Sequence, residues 1–503
     1  MKIFRTKSIE QSIRDTEEPE HQLRKALGPL DLIVFGVGVT IGTGIFVTTG
    51  KAAADYAGPA IVISFLLAGL ACGLAALCYA EFASSVPVSG SAYTFSYATL
   101  GEFIAWVIGW DLILEFMVGA SVVSVGWSSY FGELLKGLGI HLPAVIAGGP
   151  GAVMNLPAAL IALLLTAVVT VGIRTSSIVN LVITCIKVVV VLFFIGLGIF
   201  FVKPANWVPF IPPAIPAAIT KPFWDTTVLQ MLGSRPMEYG WPGVVSGASL
   251  VFFAYIGFDI VATTAEETRN PQKNMPIGIF GSLALCTVLY IAVSLVMTGI
   301  VPYTQLATSE NTAAMALAFS AIGQSWAAVL VSIGAICGMT AVIMILMLGQ
   351  SRVFFAMSRD NLLPRWFSQV HPRFKTPYRI NIIVGIVVAF TAAFTPVSAL
   401  EEMTNIGTLT AFILVSIGVI VLRRTRPNLR RAFRTPLVPW IPILAVLICF
   451  YLMLGLPLLT WVRFLVWLAI GVVLYFVYGQ QHSRLAKEGS EEGGLKHVAV
   501  SEK

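Results

Sequence analysis

The sequence predicts an all-α integral membrane protein of twelve transmembrane helices, on three observations. Of 503 residues, 57% are hydrophobic and 11% are charged, against roughly 25% charged in a soluble globular chain, and mean hydropathy is +0.86. Apolar runs recur from Leu30 to Tyr478, most of them near the roughly 20 residues that a helix needs to cross a ~30 Å hydrocarbon core. Lys and Arg concentrate in every second segment between those runs. Together these exclude an ordinary cytosolic protein.

In chain order, a polar segment 1–29 has no short apolar stretch with a small-residue cleavage site, so no cleavable signal peptide is expected. Apolar runs then start near Leu30, Pro59, Phe103, Leu156 and Ile178, making a first group of five over 30–202. A proline-rich segment, 203–243, carries Pro204, Pro209, Pro212, Pro213, Pro216, Pro222 and Pro236 and cannot be one regular helix; an ordered outer loop is expected. Runs near Val244, Ile277, Ala327, Ile380 and Ile406 make a second five over 244–422, and runs near Leu437 and Phe464 add two helices over 423–479. The ninth and twelfth are the shortest. The tail 480–503 has the composition of a disordered segment.

With the N-terminus inside, 25 Lys and Arg fall in inner segments and 6 in outer ones, a bias that puts both termini in the cytoplasm of a multi-pass protein of the cell membrane. The formal charge of +7 follows from that topology, so no nucleic-acid partner is expected. The remaining basic residue, Lys187, lies about ten residues into the fifth run, or ~15 Å deep at 1.5 Å per residue. That is mid-membrane.

Some chemistry is ruled out. All five histidines sit in loops or tails and all six cysteines in apolar runs, so neither a metal site nor a disulfide framework is expected. No HExxH or G-x-S-x-G motif is present, which points away from an enzyme, and no cofactor is implied. Gly42-Thr43-Gly44 has two glycines of a dinucleotide fingerprint but no strand before it and no third glycine.

The same glycines matter for another reason. Gly36, Gly38, Gly42 and Gly44 crowd the first run, and each lowers helix propensity by ~1 kcal/mol relative to Ala, so a break near Gly42 is expected. The sixth run has a counterpart in Phe252-Phe253-Ala254-Tyr255-Ile256-Gly257-Phe258-Asp259. Runs one and six occupy corresponding places in two five-span halves, and an odd number of spans per half inverts one against the other. Paired interrupted helices in an inverted repeat indicate a binding site at the midplane. Free amides there favour a carboxylate and free carbonyls an ammonium; a zwitterion satisfies both. Gly69/Gly73 and Gly334/Gly338 are assigned to helix packing.

Four ionisable residues lie within runs, Asp111, Glu115, Lys187 and Asp259, where a charge costs at least ~2.5 to 3.5 kcal/mol on insertion scales. Lys187 is the expected proton-coupling group, because burial disfavours the charged form of an amine. Glu115 is expected at nearly the same depth as a modulating carboxylate. Asp111 and Asp259 are assigned to helix contacts.

These residues resemble the amino acid-polyamine-organocation superfamily, in its cationic amino acid transporter branch and bacterial form. The resemblance rests on Gly42-Thr43-Gly44-Ile45-Phe46 with Gly58-Pro59, on Tyr79-Ala80-Glu81-Phe82 followed by Pro87-Val88-Ser89-Gly90-Ser91-Ala92-Tyr93, and on the sixth run with Glu266-Glu267 and Asn270-Pro271 to Met275-Pro276. Arg352-Val353-Phe354-Phe355 to Arg359-Asp360 completes it. It implies a five-plus-five inverted-repeat core with broken helices one and six and two extra helices. It further implies that the amides of Gly42, Thr43 and Gly44 receive a substrate carboxylate, and that carbonyls around Thr40 and Ile41 and at Phe253, Ala254 and Ile256 receive its ammonium. Lys187 stands where proton-coupled relatives carry a fifth-span lysine. Met339 of the eighth run would face the substrate side chain.

The expected function is secondary active import of L-amino acids by proton symport, with small or medium neutral substrates such as alanine, threonine or the branched-chain ones, since no acidic residue obviously greets a cationic side chain. An exchanger, cationic amino acid uptake and, remotely, a membrane sensor are the alternatives. Expected partners are the amino acid, the proton and membrane lipid, with room on the apolar exterior for a small membrane protein. A gate between Glu266, Glu267 or Arg269 and Arg352 or Arg359 is a further expectation.

Overall fold

The computed structural model describes residues 27–85, 91–148, 152–172, 177–216, 222–234, 237–306, 313–374, 376–429 and 431–484. The expectations for the N-terminal segment, for Pro87 to Gly90 and for the tail beyond 484 lie outside the described residues. Twelve helical spans follow in the expected order. Span one is Pro29–Thr40 and, after a break, Gly44–Thr48, Thr49–Ala52 and Ala53–Ala57. Spans two to five are Ile61–Ser85, Glu102–Gly137, Leu156–Val171 and Ser177–Gly198. Span six is Gly240–Val251 with the turn Phe252–Tyr255 and, after its own break, Asp259–Glu267. Spans seven to ten are Pro271–Ile300, Ser325–Arg359, Tyr378–Phe394 and Val397–Thr425, and spans eleven and twelve Trp440–Leu454 and Leu458–Leu474.

Packing repeats with a step of five. Span three lies along spans ten and nine, and span eight along spans five and four; span one lies on span seven, and span six on span two. Adding or subtracting five from each number maps one set of pairs onto the other, as a five-plus-five repeat requires.

Two boundaries differ from expectation. Span ten begins at Val397, not near Ile406, because the polar residues that looked like loop are buried partners. Glu401 is 1% exposed and accepts the Thr48 hydroxyl at 2.7 Å, while Asn405 Nδ2 donates to the Ser249 carbonyl at 3.1 Å. Span six begins at Gly240 instead of Val244; the Tyr239 amide is held by the Tyr56 carbonyl at 3.0 Å just before it. The proline-rich loop between spans five and six is ordered where described. Its short strands Ile215–Pro216 and Met237–Glu238 pair antiparallel, Tyr239 Oη donates to the Ala54 carbonyl at 2.6 Å, and the Leu458 amide donates to the Thr226 carbonyl at 2.8 Å. The loop thus straps the C-terminal half of span one to the start of span twelve.

Small residues set the closest approaches. A Cβ on Gly334 would stand 2.2 Å from Val190 Cγ2, and one on Gly338 2.7 Å from Lys187 Cγ, so this pair cradles span five. Gly69 abuts Tyr255 Oη, whereas Gly73 faces open space.

Near the C-terminal end of span two, Glu81 is fully buried. It accepts Arg423 Nε at 2.9 Å and Nη2 at 2.8 Å in a bidentate fork, and the Thr435 amide at 2.8 Å; Arg431 Nε lies 3.2 Å away. This cluster ties spans two and ten to the segment before span eleven. Removing one partner of a buried pair typically costs about 3–5 kcal/mol by leaving charge uncompensated. Glu81→Ala should therefore lower the apparent melting temperature of the detergent-purified protein and its yield of monodisperse material, with Glu81→Gln intermediate; scanning fluorimetry and gel filtration check this.

Candidate substrate and coupling site

The site begins with two breaks in the middle of the bundle. Helix Pro29–Thr40 stops because Ile41 turns extended, with φ −73° and ψ 94°, and a wide π turn restarts at Gly44. In span six, Ile256 is extended and Gly257 has φ +124°, a conformation that L side chains rarely adopt. A Cβ on Gly257 would also lie 3.2 Å from the Thr40 amide nitrogen. The breaks touch directly at Gly44, where a Cβ would stand 2.2 Å from Ala254 Cα. Only glycine permits that contact.

Each break exposes backbone groups with no helical partner, and side chains meet several of them. Lys187, 1% exposed, donates from Nζ to the carbonyls of Gly38 and, at 3.2 Å, Ile41. It therefore sits on the carbonyl end of the inner half of span one, where the helix dipole favours a cation. Among the described residues no carboxylate lies within 4.0 Å of it. Tyr290 of span seven, fully buried, places Oη 2.9 Å from the Thr40 carbonyl and 2.7 Å from the Ala254 carbonyl. One hydroxyl joins both broken helices.

The expected binding residues come together here. Thr40, Ile41, Gly42, Thr43, Gly44, Phe253 and Ala254 are all buried around the breaks, with Ile256 partly exposed. The carbonyls expected to take an ammonium already accept protein donors: Thr40 and Ala254 from Tyr290, Ile41 from Lys187, and Phe253 from the Ile256 amide at 3.2 Å. The hydroxyls of Thr40 and Thr43 are buried with no partner. Met339 is fully buried, and its Sδ stands 3.4 Å from where a Cβ on Gly126 would be, at a point also touched by Thr43 Cγ2. Thr43, Gly126 and Met339 therefore meet beside the first break.

Glu115 is not brought to Lys187. Its nearest acidic neighbours are Asp259 and Asp111, and Asp111 Oδ1 packs 3.0 Å from the Cβ position of Gly407 in span ten. Asp259 Oδ1 accepts the Gly257 amide at 3.2 Å, capping the inner half of span six. The three carboxylates, each at most 1% exposed, have five oxygens without a hydrogen-bond partner.

Contacts cross the bundle on either side of the breaks. Beyond Gly44, Tyr130 Oη donates to the Phe46 carbonyl at 2.6 Å and accepts the Met315 amide at 3.3 Å, and Gly50 packs on Ala314. At the Pro29 end of span one, the Leu27 amide donates to the Glu267 carbonyl at 3.0 Å, and Arg352 Nη2 stands 3.3 Å from Glu267 Oε1, one of the expected gate pairs.

Tyr290 and Tyr130 were missed by sequence reasoning, because a tyrosine in an apolar run reads as core. A signal for Tyr290 exists: Ser282, Cys286, Tyr290, Ser294 and Thr298 repeat every four residues and are fully buried, a polar stripe on one face of span seven.

Gly44→Ala should leave the protein in the membrane but abolish substrate-dependent thermal stabilisation, because the added methyl meets backbone, not a flexible side chain. Tyr290→Phe removes the one hydroxyl proton shared between two buried carbonyls, a loss of about 1–3 kcal/mol, and should lower the melting temperature of the unliganded protein.

The chain matches the family model described as amino acid permease over residues 27–478. It is 49% identical over 489 residues to the branched-chain amino acid permease BcaP of Bacillus subtilis (strain 168), covering 96% of this chain and 99% of the relative. It is 47% identical, with the same coverage, to the methylthioribose transporter of that organism. It is also 37% identical over 430 residues to the vacuolar cationic amino acid transporter 4 of Arabidopsis thaliana, covering 85% of this chain and 68% of the relative. The broken helices and these near-full-length likenesses agree: the chain belongs to the amino acid permease family, and it is a transporter, not an enzyme.

Proposed function

We propose that this permease imports L-amino acids with small or medium neutral side chains, the branched-chain ones included, by proton symport across the cell membrane, with both termini in the cytoplasm. The halves 30–202 and 244–422 act as the two repeats, and 423–479 adds two supporting helices. The substrate carboxylate is received at the amides of Gly42, Thr43 and Gly44 and its ammonium at the carbonyls of Thr40, Ile41, Phe253, Ala254 and Ile256. Met339 bounds the side-chain end with an apolar thioether. The name of the 49% identical relative supports a branched-chain substrate. The inner excess of Lys and Arg supports the orientation.

The observation that carries the coupling is Lys187 on the carbonyls of Gly38 and Ile41 with no carboxylate beside it. Protonated, it holds the carbonyl end of the inner half-helix to span five. On giving its proton to the inner side it loses charge and a donor, the half-helix is released and the site opens inward. Glu115, grouped with Asp111 and Asp259, is a second proton-coupling residue, acting on span six through Asp259.

In proteoliposomes without sodium, an inward proton gradient should drive accumulation of radiolabelled leucine or alanine that collapses when the gradient is dissipated. Lys187→Ala should abolish that accumulation while counterflow persists; gradient-driven uptake by Lys187→Ala would exclude the coupling role. Uptake seen only against preloaded amino acid would establish an exchanger. The methylthioribose transporter, almost as similar, supports a neutral thioether sugar as a second reading, and competition by methylthioribose in the same vesicles separates the two. Met339→Ser should widen the pocket and admit longer side chains, seen as a changed competition profile.

A further inference from the structure

Spans three, eight, nine and twelve leave between them a cavity of about 490 Å3, away from the two breaks. Its exposed surface is apolar, built from Trp106, Trp110 and Ile113 of span three, Phe354 of span eight, Val384 of span nine and Trp467 of span twelve, with the fully buried polar side chain of Gln350 of span eight set behind it. The indoles spend their polar edges inside the protein. Trp106 Nε1 donates to the Gly471 carbonyl and Trp110 Nε1 to the Trp467 carbonyl, both at 2.8 Å, and Trp467 Nε1 to the Trp110 carbonyl at 3.2 Å. The rim is open sideways at Ile383 and Leu474, which are 41% and 40% exposed. An occupant must therefore be apolar and arrive from the hydrocarbon.

A basic and aromatic cluster adjoins the cavity through Phe367 and Ile380. Phe367 lines the cavity and stacks on Phe354 and on Trp366. Arg379, one residue before the wall residue Ile380, lays its guanidinium 6.0 Å over the Trp366 ring and 5.6 Å over Tyr378, with Nε donating to Tyr378 Oη at 3.0 Å. No carboxylate among the described residues lies within 4.0 Å of it. Tryptophan and tyrosine mark the headgroup level, and a basic opening between helices on the cytoplasmic side suits an anionic headgroup. A protein helix fits poorly: this volume holds about one turn of a cylinder about 10–12 Å across.

We propose that the cavity seats one acyl chain of an anionic phospholipid of the leaflet that meets Arg379, with the phosphate against its guanidinium. Span three also carries Glu115, two residues from the wall residue Ile113, and span eight carries Met339. Occupancy therefore packs the two scaffold helices that flank the site, and uptake depends on the lipid.

The full chain, delipidated and incubated with equal phosphatidylglycerol and phosphatidylcholine, is analysed by native mass spectrometry and, in liposomes of the same lipids, by uptake. Wild type should retain one phosphatidylglycerol in preference to phosphatidylcholine and transport faster with it. Arg379→Gln should lower that preference about fivefold, the effect of roughly one basic residue at an anionic surface. Ile383→Trp and Leu474→Trp, at exposed rim positions outside the packed core, should block both lipids while gel filtration is unchanged. Equal retention of the two lipids by wild type, or undiminished retention by the rim variants, overturns the proposal. So does a small protein retained in place of lipid, or a dimer lost in the rim variants.

Discussion

Hydrocarbon offers no hydrogen-bond partner to a backbone, so a helix broken at mid-membrane is stable only where the protein itself supplies the missing groups. Spans one and six are broken at the same level and lean on each other, with Gly44 against Ala254 and Gly257 against Thr40. Three side chains, two from other spans and one from span six itself, complete the arrangement. Lys187 covers the carbonyl end of one half-helix, Asp259 caps the amide end of another, and Tyr290 stitches the two carbonyl edges together. A ligand with one anionic and one cationic group competes for the kinds of backbone group these side chains serve. The scaffold at the breaks is therefore built from the same kinds of group that would hold a zwitterion.

The contacts on the two sides of the breaks are built from different material. On the Gly44 side they are hydrogen bonds between backbone and the hydroxyl of Tyr130, together with glycine-on-alanine contact at Gly50. On the Pro29 side they include the exposed pair Arg352 and Glu267, of a kind worth ~0 to 1 kcal/mol, and the Leu27 amide on the Glu267 carbonyl, two residues before the half-helix that Lys187 holds.

The sequence made the spans legible because crossing a membrane demands length and apolarity together, and it made the breaks legible because glycine at Gly42, Gly44 and Gly257 has few other uses in a buried helix. The depth of Lys187 followed from counting. Partnership did not. Counting put Glu115 near the depth of Lys187, but which sides of two helices face each other depends on packing, and Glu115 falls in with Asp111 and Asp259 instead. The start of span ten was hidden because Glu401 and Asn405 look like loop residues until their partners Thr48 and Ser249 are known. Glu81, quoted only as part of a motif, turns out to anchor Arg423 and Arg431 some 340 residues away in sequence.

Gly338 touches neither backbone break, yet it decides how close the Lys187 stem can lie to span eight. A single methyl there displaces three carbons of the lysine and so shifts an ammonium that hangs on two carbonyls. The position of the Lys187 ammonium is thus linked to a residue with no side chain, on a helix that also carries Met339 in the adjacent position. A change at either of two neighbouring codons therefore reaches the first break by its own route, Gly338 through the lysine stem and Met339 through its contact beside Thr43 and Gly126.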